Sequence, residues 1–157
     1  VSSAASDVYK RQHKNKNYRR IFDNQHEFAV LVKDDPELQA QFVDDLAKMA
    51  VIERALGAAR QREAMQDVYG AWEELQQLRL RDQELFVNDQ ELNSQYLDLT
   101  TKASRLVKLL DDAENARNAK EVGSALGKYM EAKKLYLHSR FAKEGIESLL
   151  DEVLPLK

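Results

Sequence analysis

Two stretches of this chain carry apolar side chains at intervals of three and four residues, the spacing that places them on one face of an α-helix. They are 34–56, DDPELQAQFVDDLAKMAVIERAL, and 88–110, NDQELNSQYLDLTTKASRLVKLL. Aligned without a gap at an offset of 54 positions, the two stretches share seven of 23 residues. An apolar helix face must be buried against another element. This feature therefore restricts the chain to folds in which helices pack together.

Composition narrows the fold class to all-α. The 157 residues include only five Gly and two Pro, whereas an all-β chain needs many more turn residues. Apolar residues make up 43% and charged residues 32% of the chain, a balance typical of a folded protein rather than a disordered one. We therefore predict an all-α antiparallel helical bundle. It is built from two αα-hairpins, a possible tandem repeat of about 54 residues, with a leading helix and a short C-terminal helix.

Capping residues and glycines indicate where the helices begin and end. A first helix is predicted over about 17–32, and Asp35 suits the N-cap of the next helix because a carboxylate accepts free backbone N–H groups. Residues 36–87 form either one long helix or two helices with a turn near Gly57, which would be a left-handed C-cap. The internal similarity favours the turn.

The second copy is expected to turn at the matching place. Residues 111–114 have the spacing of a capping box, with Glu114 three residues after Asp111. A fifth helix is therefore predicted from about residue 113. We expect Gly145 to end it, because Gly is a poor helix former, and a short last helix to cover 146–154.

Residues 1–12, VSSAASDVYKRQ, resemble the translated read-through of a sequencing adapter. Segments of that kind are left out of fold reasoning, so we predict a non-native, disordered tail at 1–12 and a single helical domain at 13–157. Within the domain, hairpin 1 is expected at about 34–87 and hairpin 2 at about 88–143. The resemblance also implies that the natural N-terminus is missing, so the sequence assigns no compartment.

The residue types needed for most catalytic and metal sites are absent or wrongly spaced. The chain has no Cys, and none of its three His residues, His13, His26 and His138, has a Glu three positions before it, as helical di-metal sites require. No Gly-x-Ser-x-Gly turn and no phosphate-binding Gly loop occurs. We therefore predict no catalytic residues, no cofactor, no metal and no enzyme activity. The longest apolar run has five residues, so no membrane span is expected.

Apolar residues beyond the helical stripes favour a protein partner or self-association. A stripe needs one apolar residue every three or four positions, but two helix ends carry more than that. The candidate partner surface is Leu78, Leu80, Leu135 and Leu137. Trp72 belongs to a stripe and is expected in the core. The predicted function is a non-enzymatic protein–protein interaction module: a scaffold, an adaptor or a small structural subunit.

Two short basic runs, at 14–20 and 133–143, support an alternative function. In this alternative the protein is a small helical subunit that contacts nucleic acid. Clustered Lys and Arg side chains neutralise phosphates and give binding that weakens with salt. The candidate contacts are Lys14, Lys16, Arg19, Arg20, Lys133, Lys134, Arg140 and Lys143. The formal net charge of −3 argues against a surface devoted to polyanions, so the interaction module is the favoured prediction.

Overall fold

A computed structural model of the chain describes residues 3–154, and within that range every regular element is an α-helix. The predicted all-α helical bundle is thus confirmed. In chain order the helices are α1 (Ser3–Lys14), α2 (Tyr18–Asp23), α3 (Gln25–Val32), α4 (Pro36–Ala64), α5 (Val68–Arg81), α6 (Gln83–Asn88), α7 (Gln90–Lys102), α8 (Ser104–Asn118), α9 (Val122–Leu135) and α10 (Arg140–Val153). The first predicted helix, 17–32, is in fact two, because the chain breaks at Asn24 between α2 and α3.

The helices contribute to two compact units. The N-terminal unit contains the residues up to Gly57 together with Leu78–Gln95, and the C-terminal unit contains Ala58–Gln77 together with the residues from Tyr96 onwards. The unit boundaries fall inside α4, α5 and α7. The predicted single domain, with hairpin boundaries near residues 87 and 143, stays a prediction.

Side-chain caps start α4, at the predicted Asp35, and α7. The Oδ1 atom of Asp35 accepts hydrogen bonds from the backbone N–H groups of Glu37 at 3.1 Å and Leu38 at 3.2 Å. At α7, the Oδ2 atom of Asp89 accepts from the N–H of Leu92 at 3.1 Å. These carboxylates satisfy N–H groups that have no partner within the helix, so both N-caps follow from the local sequence.

Three helices, α1, α4 and α8, end in the same kind of turn. After each one a non-glycine residue adopts a left-handed conformation: Lys16 at φ 54°, Gln66 at φ 62° and Lys120 at φ 61°. At Gln66 the backbone closes with two bonds of 2.9 Å, from the N–H of Asp67 to the carbonyl of Arg62 and from the N–H of Gln66 to the carbonyl of Glu63. This pair of bonds is a Schellman motif, and it recurs at the other two turns.

The left-handed turn at Gln66 corrects two expectations. The predicted turn near Gly57 is wrong, because α4 continues through Gly57 to Ala64 and no described glycine has a positive φ. The predicted helix end at 111–114 is likewise wrong, because these residues lie inside α8, and α9 starts at Val122 instead of about 113. Residues 36–87 therefore contain a turn, but it lies nine positions after Gly57, at Gln66.

The spacing between turn and cap is nearly constant along the chain. From the left-handed residue to the next cap there are 19 positions for Lys16 and Asp35, and again 19 for Lys120 and Ser139. Between Gln66 and Asp89 there are 23. Equivalent positions in neighbouring segments thus differ by 54 residues in some parts of the chain and by 50 in others. That the segments are copies of one duplicated hairpin stays a prediction.

The helix at the start of the chain was not expected. Residues 3–12 belong to α1, and the buried Tyr9 donates a hydrogen bond of 2.6 Å to the Oδ2 atom of Asp45. The predicted disordered tail is therefore wrong for residues 3–12, because Tyr9 has partners in the core; residues 1 and 2 lie outside the described part. The non-native origin of the segment stays a prediction.

We expect Gln66→Gly to raise the free energy of unfolding by about 1 kcal/mol, because glycine removes the steric cost that a Cβ imposes at positive φ. The matched control is Gln61→Gly, the same exchange at an exposed position inside α4. This control should lower the free energy of unfolding by about 0.5–1 kcal/mol. Urea denaturation of both variants measures the two effects, and equal signs would contradict the turn geometry.

Candidate functional site

A small polar cleft lies in the C-terminal unit around the carboxyl group of Glu73, and is called the Glu73 cleft below. Its volume is about 70 Å³. It is lined by Arg62, Gly70, Glu73, Glu74, Gln77, Tyr136, His138 and Arg140. A cleft of this size has room for about two water molecules, whereas small-molecule sites usually offer several hundred Å³.

Glu73 is buried and connects α5 to the start of α10. Its Oε2 atom accepts a hydrogen bond of 2.6 Å from Ser139 Oγ, and its Oε1 atom accepts one of 2.9 Å from the backbone N–H of Arg140. Ser139 is itself the N-cap of α10, since its Oγ accepts from the N–H of Ala142 at 3.1 Å. Burial raises the pKa of Glu73, and the hydrogen bonds from Ser139 and Arg140 oppose this rise without cancelling it. The carboxyl group therefore acts as a second cap on α10.

Asp67 performs the matching role at the start of α5. Its Oδ1 atom accepts from the N–H of Gly70 at 2.9 Å, while its Oδ2 atom accepts from the Tyr136 hydroxyl at 3.2 Å and from Arg62 Nη1 at 3.1 Å. Burial and the neighbouring charge of Asp67 raise the pKa of Tyr136 to about 12. The Tyr136 phenol is thus protonated near neutral pH, and it serves as a donor that connects the end of α9 to α5.

The polar groups of the Glu73 cleft are engaged in holding helix ends together. Glu73 and Asp67 both accept backbone N–H groups, and Arg62 lies between Asp67 and Glu74, whose Oε1 atom is 3.5 Å from Arg62 Nη2. Within residues 3–154 there is no cluster of three or more His, Asp or Glu side chains arranged to hold a metal ion. The arrangement suits helix capping, and the absence of an enzymatic site stays a prediction.

We expect Glu73→Ala to lower the free energy of unfolding by about 2 kcal/mol, because it leaves the start of α10 without one of its acceptors. Glu73→Gln keeps one oxygen and should lower it less. The pKa of Glu73 is higher in the folded protein than in the unfolded chain, so its contribution to stability is fully present in acid and declines as the pH rises through the raised pKa. Denaturation of the wild type and Glu73→Gln at pH 4 and pH 7 checks this: the wild type should gain stability relative to the variant in acid.

A second polar site, in the N-terminal unit, is an open groove of about 650 Å³ next to Arg19. The guanidinium of Arg19 makes two bonds of 2.9 Å to the carboxylate of Asp89, and its Nη1 atom lies 2.8 Å from Glu91 and 3.3 Å from Glu53. The hydrogen bonds to Asp89 raise the pKa of Arg19. Because Asp89 also caps α7, Arg19 attaches α2 to the start of that helix.

The candidate polyanion contacts are distributed over both units. In the N-terminal unit, Arg19 is engaged as described and Lys16 forms an ion pair with Glu84, while Lys14 and Arg20 are exposed. In the C-terminal unit, Lys133 is half-buried. The other three residues of the second run are exposed; these are Lys134, Arg140 and Lys143. Two of the four candidate contacts in the first run, Lys16 and Arg19, are thus already paired with carboxylates. Nucleic-acid binding stays an untested alternative.

The candidate partner surface is exposed at only two of its four residues. Leu80 is 65% exposed and Leu137 is 68% exposed, whereas Leu135 is half-buried. Leu78 is only 5% exposed, so its assignment to a partner surface is wrong. The reason is that Leu78 follows Leu75 by three positions and continues the buried face of α5.

Other exposed apolar residues lie between the positions of the apolar stripes, so the stripe pattern did not predict them as candidate partner surface. They include Val30, Val43, Val87 and Leu97. Val43 and Leu97 stand 54 positions apart, at matching places in α4 and α7. The alignment of 34–56 with 88–110 already shows that both of these positions are apolar. Trp72, in contrast, is buried as predicted.

None of the helices in residues 3–154 combines the length with the apolar character needed to cross a membrane. No protein-family model, no curated protein and no solved structure matches the chain, so its function has to be argued from its own residues.

Proposed function

We propose that the protein is a non-enzymatic helical interaction module: a scaffold, an adaptor or a small structural subunit that binds other proteins or a second copy of itself. The observation that carries the proposal is the recurrence of exposed apolar side chains at equivalent positions. The pairs are Val43 and Leu97 at an offset of 54, and Val30 and Leu80, with Val87 and Leu137, at an offset of 50.

Recurrence distinguishes these residues from ordinary surface variation. Single exposed apolar side chains are common on folded proteins and need no explanation. Here, however, the same point of the helical pattern is apolar and exposed in two successive segments, although contact with water is unfavourable for an apolar side chain in both. Contact with another protein would remove this apolar area from water and would account for its presence.

The polar groups support the same conclusion. In the described residues, every buried side-chain nitrogen and oxygen has a hydrogen-bond partner. In the Glu73 cleft these bonds hold helix starts, and at Asp89 they do the same in the N-terminal unit. With polar chemistry committed to the fold, the exposed apolar positions are the surface features best suited to binding a protein.

Sedimentation velocity over a range of concentrations tests the proposal. The wild type is compared with a variant that carries Leu80→Gln, Leu97→Gln and Leu137→Gln, in which the exposed positions become polar while helix propensity is kept. We expect the wild type to associate and to be retained on a phenyl column, and the variant to do neither with unchanged helical circular dichroism. A monomeric wild type that is retained no longer than the variant would contradict the proposal.

A further inference from the structure

The second half of α10 and its C-cap expose three apolar residues, and one of them stands at a position that is buried in α4 and at the end of α7. The three residues, called the α10 strip below, are Leu150, Val153 and Leu154. Fourteen positions after the N-caps of α4, α7 and α10 stand Met49, Ala103 and Val153 respectively. Met49 and Ala103 are 0% exposed, whereas Val153 is 54% exposed. The same point of the pattern is thus core in two helices and surface in the third.

The comparison is justified because α10 otherwise packs like its counterparts. Ten positions after the caps, Asp45, Leu99 and Leu149 are all buried. Three positions after the caps the residues are again buried in each helix; these are Leu38, Leu92 and Ala142. At these two positions the burial of α10 agrees with that of α4 and α7, and the clear departure is at Val153.

In α4 the matching level is reached by another helix. Lys48, the residue before Met49, forms an ion pair of 3.0 Å with Asp82, which stands between α5 and α6. In α4 a segment next to a helix end thus comes within contact of this level of the pattern. A helix with apolar residues on one face would cover the α10 strip in the same way.

Charge defines what kind of helix fits. Glu144, Glu147 and Asp151 are exposed on α10, and none of them forms an ion pair with a described residue. Glu147 and Asp151 lie within one helical turn of Leu150. An acidic border of this kind attracts a basic partner and disfavours pairing of one α10 with another, where like charges would face each other.

We propose that the α10 strip binds a basic amphipathic helix of a protein partner. This inference rests on the proposed function as an interaction module and names the surface and the chemistry of the occupant. Leu150, Val153 and Leu154 would fit against the apolar face of that helix, in the manner of helix-in-groove recognition. Its Lys or Arg side chains would lie against Glu147 and Asp151.

Fluorescence anisotropy with the whole chain tests the proposal. The probe is a labelled synthetic amphipathic helix made of Leu and Lys, and the control probe is the same pattern made of Leu and Glu. A variant with Leu150→Gln and Val153→Gln should bind the Lys probe about tenfold more weakly than the wild type. The matched control carries Met65→Gln and Met130→Gln, which are similarly exposed but belong to none of the recurring pairs, and it should bind unchanged.

Charge reversal provides the second readout. A variant with Glu147→Lys and Asp151→Lys should lose affinity for the Lys probe and gain affinity for the Glu probe. Equal binding of both probes to the wild type would overturn the proposal, and so would an α10-strip variant that binds like the control variant. A dimer that Leu150→Gln and Val153→Gln abolish, without any probe binding, would assign the strip to a second copy and overturn it too. The results with the two probes are independent of the sedimentation difference by which the interaction module is judged.

Discussion

Replacing Leu99 by Asp is expected to unfold the C-terminal unit near neutral pH. The Leu99 side chain is fully buried in α7, and an ionised carboxylate placed there would lose its hydration without gaining a partner. Substitutions of this kind cost more than about 4 kcal/mol, a large share of the roughly 5–15 kcal/mol by which domains of this size are stable.

The position 54 residues earlier shows what a buried carboxylate needs. Asp45 is buried there, but it accepts a bond of 2.6 Å from the Tyr9 hydroxyl and lies 2.8 Å from His13 Nδ1. At an offset of 50 from Tyr9 and His13 stand Ala59 and Glu63. Because neither a methyl group nor an ionised carboxylate donates a hydrogen bond, we expect Asp at position 99 to lack the donors that Asp45 has.

Far-ultraviolet circular dichroism and urea denaturation measure the result. The control is Leu97→Asp, the same exchange two residues earlier in α7 at an exposed position, and it should change the free energy of unfolding by less than about 0.5 kcal/mol. A Leu99→Asp variant that unfolds cooperatively with nearly wild-type stability would show that α7 does not bury this face.

The second large effect is expected for Gly145→Val. A Cβ built on Gly145 would lie 2.5 Å from the Cε1 and Cζ atoms of the Tyr129 ring. That ring is buried, and its hydroxyl donates a bond of 3.1 Å to Glu114 Oε2, so it is held from both ends. Because neither α9 nor the ring can yield without loss of packing, we expect Gly145→Val to lower the free energy of unfolding by about 3 kcal/mol.

Two other glycines provide the control for Gly145. Gly57 in α4 and Gly127 in α9 have no atom within 4 Å of the place where a Cβ would be built. Gly57→Ala and Gly127→Ala should each raise the free energy of unfolding by about 0.5–1 kcal/mol, because Ala has the higher helix propensity. Thermal denaturation of the three variants therefore separates packing from propensity, and a stabilised Gly145→Val would refute the close approach of α9 and α10.

The sequence was a good guide where structure depends on periodicity or on a local cap. The apolar positions of α4, spaced by three and four, are core residues apart from the half-buried Leu46. Asp35 caps α4 because the acceptor and the N–H groups it binds are two and three residues apart in the chain. Both features follow from contacts within one helical turn.

The sequence misled where a residue's role depends on a distant partner. Gly145 was expected to end a helix, but it lies inside α10. A glycine suits this position because the Tyr129 ring occupies the space that a side chain would need. The turn after α4 was assigned to Gly57 because Gly is the usual left-handed residue, whereas the structure uses Gln66. No local signal marks Gln66, since its conformation depends on where the helix ends.

The candidate sites were the least accessible to sequence reasoning. Glu73 and Glu74 read as adjacent carboxylates on different helix faces, and nothing nearby in the chain indicates that one of them is buried. Only the fold brings Ser139 within 2.6 Å of Glu73, from 66 positions away. The exposed position of Leu97 is likewise decided by which side of α7 faces the core.

The extra four positions between Gln66 and Asp89 have a consequence for how such a chain can change in length. One α-helical turn takes 3.6 residues. An insertion of four residues therefore rotates the following part of a helix by only about 40° about its axis, and its apolar side chains still face the core. One or two added residues would swing them towards solvent. We therefore expect this protein to tolerate insertions or deletions of one whole helical turn better than those of one or two residues.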